Sequence, residues 1–367
     1  MWPEEFILES MSSLQLSLAA IGALTVGAVV LYNYWTSRKN APRQADPHRD
    51  SPLESALNAI EPVLNADHDV PVSSTDAIDP LLQDAFAHLS QPDRKPLLDA
   101  LIDVLASIEV DQVVSGDAAL AALPSTRRVG TKLFSVEGFV QGTGQWEALA
   151  TGRRYNAFQA GVQLANRVGA LNNIEFSEFV VKTQAFADAI GGSASFSDML
   201  EDVARAKELD QFASVHDAQL SFTLCARTAA WSPGYIHQHA ARLGFVLGVI
   251  PGRMVLPGLV QGLPAVLSLT FDTHAAMAED PDLSAIRSFA LSLDVPQTAR
   301  EEQPYVRLRE AAVSLAAQMD GVVTDGEGQV LSEATLDQIG RDLQQLYDAL
   351  DTRELSAGSP QARRLFS

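Results

Sequence analysis

The sequence is poor in cysteine and in basic side chains. Cys225 is the only cysteine among 367 residues, which rules out an internal disulfide and zinc sites built from several cysteines. A single cysteine also fits a reducing cytoplasm. Lysine and arginine number 26 against 46 acidic residues, so the net charge is -20. This balance argues against nucleic-acid binding, because contact with phosphates requires a basic surface.

The sequence also lacks the short motifs of common enzymes. It contains no GxxxxGK[ST], no GxSxG and no HExxH. His237 and His239 lie near the start of an expected helix and on different faces of it, which makes a poor metal site. Cys225 lies in an apolar stretch, whereas a nucleophilic thiol needs a basic setting. We therefore expect no enzymatic activity, no cofactor, no metal and no small-molecule substrate.

Long apolar runs are equally scarce, and the single one present is long enough to cross a bilayer. No side chain from Ser10 to Ser37 is charged, and Leu14 to Tyr32 is almost wholly apolar or small. As a helix, that run rises about 28 Å, close to the roughly 30 Å of a hydrocarbon core. We predict a transmembrane helix over residues 10–37. The residues expected to anchor it are Leu14, Leu18, Leu24, Val29, Trp35, Arg38 and Lys39.

The flanking charges predict how this helix is oriented. Glutamates precede the run, and Arg38, Lys39 and Arg43 follow it. Basic flanks remain in the cytoplasm, so we expect a single-pass protein of the bacterial inner membrane with a periplasmic N-terminus and a cytoplasmic bulk. The helix would also make membrane lipids a partner. A buried core helix is the alternative, but no apolar stretch of similar size follows closely to cover it.

Two segments read as disordered. Residues 38–80 are rich in proline, aspartate and serine and cannot bury enough apolar surface to order themselves. We expect a linker with a reach of roughly 35 Å that holds the folded part near the membrane without fixing its orientation. Residues 353–367 are expected to form a flexible tail, in which Arg363, Arg364, Leu365 and Phe366 are a candidate docking motif.

The remaining sequence reads as two tandem copies, over residues 95–213 and 214–352. Two amphipathic helix stripes, each followed by glycine, are separated by a constant 129 positions. The first stripe is Phe176, Phe179, Thr183, Phe186 and Ile190, and the second is Tyr305, Leu308, Ala312, Leu315 and Met319. Chance is the alternative, but the offset also relates apolar stretches upstream of both helices.

The sequences of the two copies predict the same order of strands and helices. The second copy has alternating, strand-like segments at Ala218–Ala226, Val249–Leu256, Pro264–Phe271 and Ser288–Val295, with helices at Pro233–Arg242, Glu301–Met319 and after Ser332. Matching segments occur in the first copy. Strands with segregated helices predict an α+β fold, in which helices cover one face of a mostly antiparallel sheet.

Several motifs make the second copy resemble a known family. They are Leu291–Pro296, the helix Arg307–Met319, the turn Gly321–Asp325 and the segment from Ser332 onward. In these residues the chain resembles the C-terminal FtsZ-binding domain of ZipA-type cell division proteins, and Tyr34–Lys39 resembles the membrane exit of that family. The resemblance implies a split β-α-β fold, with an additional, degenerate copy of the domain upstream.

The family resemblance also implies a function. ZipA-type proteins bind the short, largely apolar C-terminal tail of FtsZ on the open face of the sheet, and so link the division ring to the inner membrane during septum assembly. The expected partners are therefore the FtsZ C-terminal peptide and other division proteins, and the expected location is the division site. Such a groove grips a peptide that becomes ordered on binding.

The sequence departs from the family pattern at the open face. Positions that are bulky and apolar in the family are polar or small here, including Gln219, Thr223 and Ala290. The residues expected at the partner site are Ile250, Met254, Leu256, Ser221 and Ser292. The groove is then reduced, shifted towards Ile250–Leu256, or replaced by a site in the first copy. A divisome scaffold that binds a different partner is the alternative function, and core positions for Ile250 and Met254 are the alternative interpretation of those residues.

Overall fold

The structure is a computed structural model that describes residues 42–45, 98–260, 262–280 and 283–367. The expected membrane span and all seven of its anchoring residues lie outside these ranges, as does most of the expected linker. Within the ranges just given, no helix is both long enough and apolar enough to cross a membrane.

The described residues form an α+β fold with antiparallel sheets and eight helices, which confirms the predicted α+β class. They form two compact units. The upstream unit comprises the described residues of 98–218, 295–300 and 342–367. The downstream unit comprises those of 42–45, 219–294 and 301–341. Each unit therefore contains chain segments that are distant in the sequence.

The upstream unit is built on one six-stranded sheet. Its strands are β1 (Asp103–Ser115), β2 (Arg128–Val129), β3 (Lys132–Val140), β4 (Trp146–Ala148), β5 (Arg154–Gln163) and β8 (Gly192–Ser195), and the short pair β6 (Ala165–Asn166) and β7 (Gly169–Ala170) lies apart from them. The helices of this segment are α1 (Gly116–Ala122), α2 (Asn173–Ala189) and α3 (Met199–His216). The strand order is β2-β3-β5-β1-β8, with β4 beside β3.

Aromatic side chains hold α2 against the inner face of this sheet. The ring of Phe134 on β3 lies 6.1 Å from that of Phe179, and the ring of Phe158 on β5 lies 5.6 Å from that of Phe186. Edge-to-face ring pairs of this kind add to the stabilisation that comes from buried area. The predicted stripe on α2 therefore faces the core, as the spacing of its apolar residues indicates.

The downstream unit contains the second six-stranded sheet. Its elements are β9 (Gln219–Ala226), α4 (Pro233–Ala241), β10 (Val246–Leu247), β11 (Arg253–Leu256), β12 (Leu267–Thr270), α5 (Thr273–Ala276), β13 (Ser288–Asp294), α6 (Pro304–Met319) and β14 (Gly321–Thr324). The strand order is β10-β11-β12-β13-β9-β14. The long helix α7 (Glu333–Thr352) begins in this unit and ends in the upstream unit.

The two sheets share one connectivity. The order β2-β3-β5-β1-β8 matches β11-β12-β13-β9-β14 position by position, and every pairing in both is antiparallel. Strand β8 starts at residue 192 and β14 at residue 321, which is the same 129-position offset found in the sequence. The loops between corresponding strands differ in length in the two units. The constant offset by itself therefore does not require the two sheets to have the same strand order.

The C-terminal residues depart from the expected flexible tail. Helix α8 (Pro360–Leu365) follows α7, and Leu365 and Phe366 are buried in the upstream unit. The guanidinium of Arg364 donates two hydrogen bonds, of 2.6 and 2.8 Å, to the carboxylate of the buried Asp103. The expectation of a free docking motif at Arg363–Phe366 is therefore wrong, because its apolar side chains complete a core.

The expected linker also contains an ordered contact. Arg43 forms a short β-bridge with Trp231, so at least residues 42–45 contact the downstream unit. The expectation of disorder throughout residues 38–80 is wrong at this point. The reason is that a basic side chain finds acceptors at a helix end, which composition alone does not reveal.

Candidate functional site

The two faces of the downstream sheet differ in chemistry. The inner face carries buried apolar residues such as Phe222, Leu269 and Leu291. The outer face carries small polar side chains in register across neighbouring strands: Ser221 on β9 pairs with Ser292 on β13, which pairs with Ser268 on β12. The polar positions that the sequence predicts for the outer face therefore do lie on that face. Ser221 and Ser292 are joined by a hydrogen bond of 3.3 Å between their hydroxyl groups.

Met254 and Leu256 do not belong to an outer patch. Met254 pairs with Leu269 and Leu256 with Leu267, and the two side chains are only 2% and 6% exposed. Both therefore point into the core, and their prediction as partner-binding residues is wrong. The physical reason is the two-residue period of a strand, which places positions 254 and 256 on the face opposite Val255.

Ile250 lies outside the strand that the sequence predicts for it. Strand β11 begins only at Arg253, because Pro251 and Gly252 form a turn. Gly252 has φ of 77°, and a Cβ there would lie 2.8 Å from the carbonyl oxygen of Phe271, so only glycine fits. Because of this turn, the side chain of Ile250 lies in solvent with 53% of its surface exposed. A continuous strand through this residue would have allowed its side chain to lie in the core.

Ile250 is part of a larger exposed apolar surface at the rim of the sheet. Val246 and Leu247 on β10 and Val249 and Ile250 in the following turn are all exposed, and we call these four residues the apolar edge. Among the strands that the structure describes, β10 is the last of the sheet and pairs with β11 alone. An unpaired edge of this kind offers free main-chain groups to another extended chain.

The hydrogen bonds of β10 indicate which of its groups face outward. The N–H of Gly248 donates to the carbonyl oxygen of Arg253 at 2.8 Å, and the ladder continues through the pairs Leu247–Met254 and Val246–Val255. Hydrogen-bonded and non-hydrogen-bonded pairs alternate along an antiparallel ladder, so the N–H and C=O of Leu247 point away from β11. The apolar edge can therefore offer both apolar side chains and a main-chain donor and acceptor.

The charge around the apolar edge is unusual for this chain. Residues 218–271 contain no aspartate or glutamate, although the whole chain has a net charge of -20. The same stretch contains three arginines, and two of them, Arg242 and Arg253, are exposed on either side of β10. The stretch that forms the apolar edge therefore contributes no carboxylate that would repel an acidic partner, and its exposed apolar side chains are suited to binding. Counting acidic residues along the sequence would have revealed this stretch.

The open face of the upstream sheet is covered by the chain itself. Leu98 lies against Gly161 on β5, where a Cβ would come within 2.5 Å of Leu98 Cδ2 and 3.1 Å of Leu105 Cδ2. The N–H of Leu98 donates to the buried Glu137 carboxylate at 2.9 Å, and Gln159 Nε2 donates to the other oxygen at 2.8 Å. A partner site in the first copy would therefore have to displace Leu98 from this position.

Comparison with known proteins and protein families does not assign this chain to a family. No family model matches the chain, and no curated protein matches it. In the part of the chain that the structure covers, no group of three or more histidine, cysteine, aspartate or glutamate side chains is placed to hold a metal ion. The apolar edge is thus the candidate site, and of the five predicted partner-binding residues it includes Ile250 alone.

Proposed function

We propose that this protein is a membrane-anchored adaptor of the bacterial division ring. In this proposal the N-terminal helix spans the inner membrane, the two units are tandem ZipA-like domains, and the downstream unit binds the C-terminal tail of FtsZ. Binding would link the ring to the membrane during septum assembly, together with other division proteins at the division site. The observation that carries the proposal is the apolar edge, which lies in a stretch of 54 residues, 218–271, without a carboxylate.

The fold supports the tandem arrangement. The shared strand order and the 129-position offset of β8 and β14 are the features expected of a duplicated domain. The resemblance to ZipA-type domains rests on residues of β13, α6, β14 and the start of α7, which the structure places in consecutive elements of the downstream unit. Support for an adaptor comes from the apolar edge, because a function is argued from a site and not from a fold.

The apolar edge is suited to a short extended peptide. Main-chain groups of Leu247 point outward, and the side chains around it give a peptide apolar contacts. A few apolar anchors supply most of the affinity in such complexes. Losing the burial of one such side chain costs about 1.5–3 kcal/mol, which corresponds to roughly 10- to 150-fold in affinity.

The proposal is tested with the full chain reconstituted in nanodiscs and titrated with an FtsZ C-terminal tail peptide. We expect saturable binding that Ile250→Asp or Leu247→Asp weakens by at least about tenfold, because each places a charge where an apolar side chain is buried by the peptide. Val306→Asp is the matched control, since Val306 is exposed to a similar degree in the same unit but lies on α6. No binding at near-millimolar peptide, or equal loss in the Val306 variant, would contradict the proposal.

One observation favours a second candidate function. The outer face of the downstream sheet is polar, and its Ser221 and Ser292 hydroxyl groups bind each other. A divisome scaffold of the same family that binds a different partner would retain such a face and need no FtsZ groove. Recruitment of the full chain to midcell without measurable affinity for the FtsZ tail would select this function over direct FtsZ binding.

A further inference from the structure

Residue Arg43 is bound to the downstream unit through its main chain. Its N–H donates to the carbonyl oxygen of Ala230 at 2.7 Å, and its own carbonyl accepts from the N–H of Ser232 at 2.9 Å. Both main-chain groups of one residue are thus paired with the loop that leads into α4. Pairing on both sides fixes the path of the chain at this residue, in contrast to a linker that only trails past a surface.

The side chain of Arg43 binds the C-terminal end of α6. One guanidinium nitrogen donates to the carbonyl oxygen of Met319 at 3.0 Å, and another donates to the carboxylate of Asp320 at 3.0 Å. Carbonyl groups at a helix C-terminus carry partial negative charge and lack partners within the helix, so a cation there is favourable. The hydroxyl of Thr228 also donates to Asp320, at 2.6 Å, and this bond, together with the charge of Arg43, lowers the pKa of the Asp320 carboxyl. We call Arg43, Thr228, Met319 and Asp320 the clasp.

Two further arginines lie beside the clasp. Arg227 Nε donates to the carbonyl oxygen of Gly321 at 3.0 Å, and Arg287 donates to the carbonyl oxygen of Thr228 at 3.1 Å. Both residues are exposed, and Arg43 is about one-third exposed. We call Arg43, Arg227 and Arg287 the arginine cluster. Among the described contacts of these three guanidinium groups the one carboxylate is that of Asp320, so the cluster carries a net positive charge.

The sequence places the clasp close to the membrane. The expected span ends at Ser37, and Arg43 lies six positions further along the chain, with five residues between them. Even a fully extended chain covers only about 20 Å over six residues. The clasp therefore cannot lie further than about 20 Å from the end of the span, whatever path the intervening residues take.

We propose that the clasp holds the downstream unit at the inner surface of the membrane and that the arginine cluster contacts anionic lipid headgroups. Only the membrane anchor of the proposed function is needed for this inference; FtsZ binding is not. The occupant is an anionic bilayer because the cluster is cationic and exposed and includes Arg43, which lies six positions after the end of the expected span. The downstream unit then has a defined orientation, whereas a free linker would leave it random.

Each arginine near an anionic surface contributes about fivefold to the apparent affinity for it. Removing Arg227 and Arg287 together is therefore expected to reduce contact with the headgroups roughly 25-fold. The effect should weaken as ionic strength rises, because the Debye length falls to about 3 Å at 1 M salt. An acidic peptide bound to the same cluster would instead be independent of the lipid headgroup.

The experiment uses the full chain in nanodiscs that contain either anionic or zwitterionic lipid, with a paramagnetic label on the headgroups. A fluorine probe is attached at Ser288→Cys in a Cys225→Ser background. Ser288 is exposed and follows Arg287 in the chain. A second probe at Ser221→Cys lies about 13 Å further along the strands. We expect strong relaxation of the probe at position 288, weak relaxation at position 221, and a clearly smaller difference in zwitterionic discs or in the Arg227→Gln/Arg287→Gln double variant.

Arg43→Gln tests the clasp itself. It removes the side-chain bonds to Met319 and Asp320 but leaves the main-chain bonds to Ala230 and Ser232, so it should reduce the difference between the two probes. Arg309→Gln is the control, since Arg309 is exposed to a similar degree on α6 and pairs with Asp337. Equal relaxation of both probes in the unchanged protein would overturn the inference, as would an unaltered difference in Arg43→Gln or in zwitterionic discs. A chain that fails to insert into nanodiscs would overturn the anchor, and with it the function proposed above, whereas an inserted chain with equivalent probes would overturn only the clasp.

Discussion

The two units share a strand order, but the outer face of the sheet is covered by the chain in one unit and carries short polar side chains in the other. In the upstream unit, Leu98 lies on the open face over Gly161, and its N–H binds the carboxylate of Glu137. In the downstream unit, the position 129 residues later is Ala290, which lies half-buried between Thr223 and Thr270 in the register of the sheet. One face has been filled by its own chain, and the other carries short polar side chains.

The difference extends to the ends of each unit. The upstream unit uses Leu98 from its start and Arg364 from the end of the chain to complete its packing. In the downstream unit, the sheet instead has strand β10 at its edge, and the side chains of that strand are exposed. One described unit is thus closed by its own chain, whereas the sheet of the other ends in a strand with an exposed edge.

The largest effect expected from this contrast concerns Arg364. Replacing Arg364 by alanine leaves the buried Asp103 carboxylate without its two charged hydrogen bonds. Breaking one partner out of a buried ion pair costs about 3–5 kcal/mol. Amide hydrogen exchange in β1 and β5 should therefore become faster by two or more orders of magnitude, while exchange in β9 and β13 stays as it is.

Arg309→Ala in the downstream unit is the matched variant. Its partner, Asp337, is half exposed, and an exposed pair contributes only about 0–1 kcal/mol. If Arg364→Ala changed exchange no more than Arg309→Ala, the C-terminal helix would not be part of the upstream core, and the contrast between a closed and an open unit would fail.

A smaller effect is expected at the two positions that the repeat makes equivalent. Gly161→Leu must push Leu98 off the open face, and overpacking of this kind costs about 1–3 kcal/mol. Ala290→Leu adds the same side chain to a face without such a cover and should change stability by less than about 0.5 kcal/mol. Denaturant unfolding followed separately in each unit would measure both, and equal losses at the two positions would show that the downstream face is covered as well.

The sequence predicts the regular elements well, because they follow from local patterns. The spacing of Phe179 and Phe186 predicts α2, and Ser332 caps α7 as expected, with its hydroxyl accepting from Thr335 N–H at 3.1 Å. Asp198 caps α3 in the same way, with its carboxylate accepting from the N–H groups of Leu200 and Glu201. Such features depend on neighbours along the chain, which the sequence displays directly.

The site is harder to predict, because it depends on contacts between distant residues. A strand through Val249–Leu256 would place Ile250 and Met254 on one face, but the turn at Gly252 separates them, and register with β12 turns Met254 inward. The ion pair of Arg364 with Asp103 and the bridge of Arg43 with Trp231 depend in the same way on partners more than a hundred residues away. Composition predicts disorder in both segments, because it contains no information on those partners.

The smallest expected effect is a difference in the direction of the pKa shift between two carboxyl groups, one in each unit. Burial raises the pKa of Asp103 above its ordinary value of 3.8, even though Arg364 acts in the opposite direction. In the downstream unit, the hydrogen bond from Thr228 and the charge of Arg43 lower the pKa of Asp320 below 3.8. We therefore expect carbon-detected NMR titration to place Asp103 above Asp320, with 3.8 between them.

These shifts act on stability in opposite directions. Above pH 3.8 the folded state holds the proton of Asp103 more tightly than the unfolded state, so this group's contribution to the upstream unit is greatest below 3.8 and is lost as the pH rises through the folded pKa. Asp320 contributes to the downstream unit above 3.8, and that contribution is lost as the pH falls through its folded pKa. Asp320→Asn should therefore flatten the acid dependence of exchange in β14 alone. If it altered β1 equally, the two units would share one titrating network, and the contrast between them would not extend to their electrostatics.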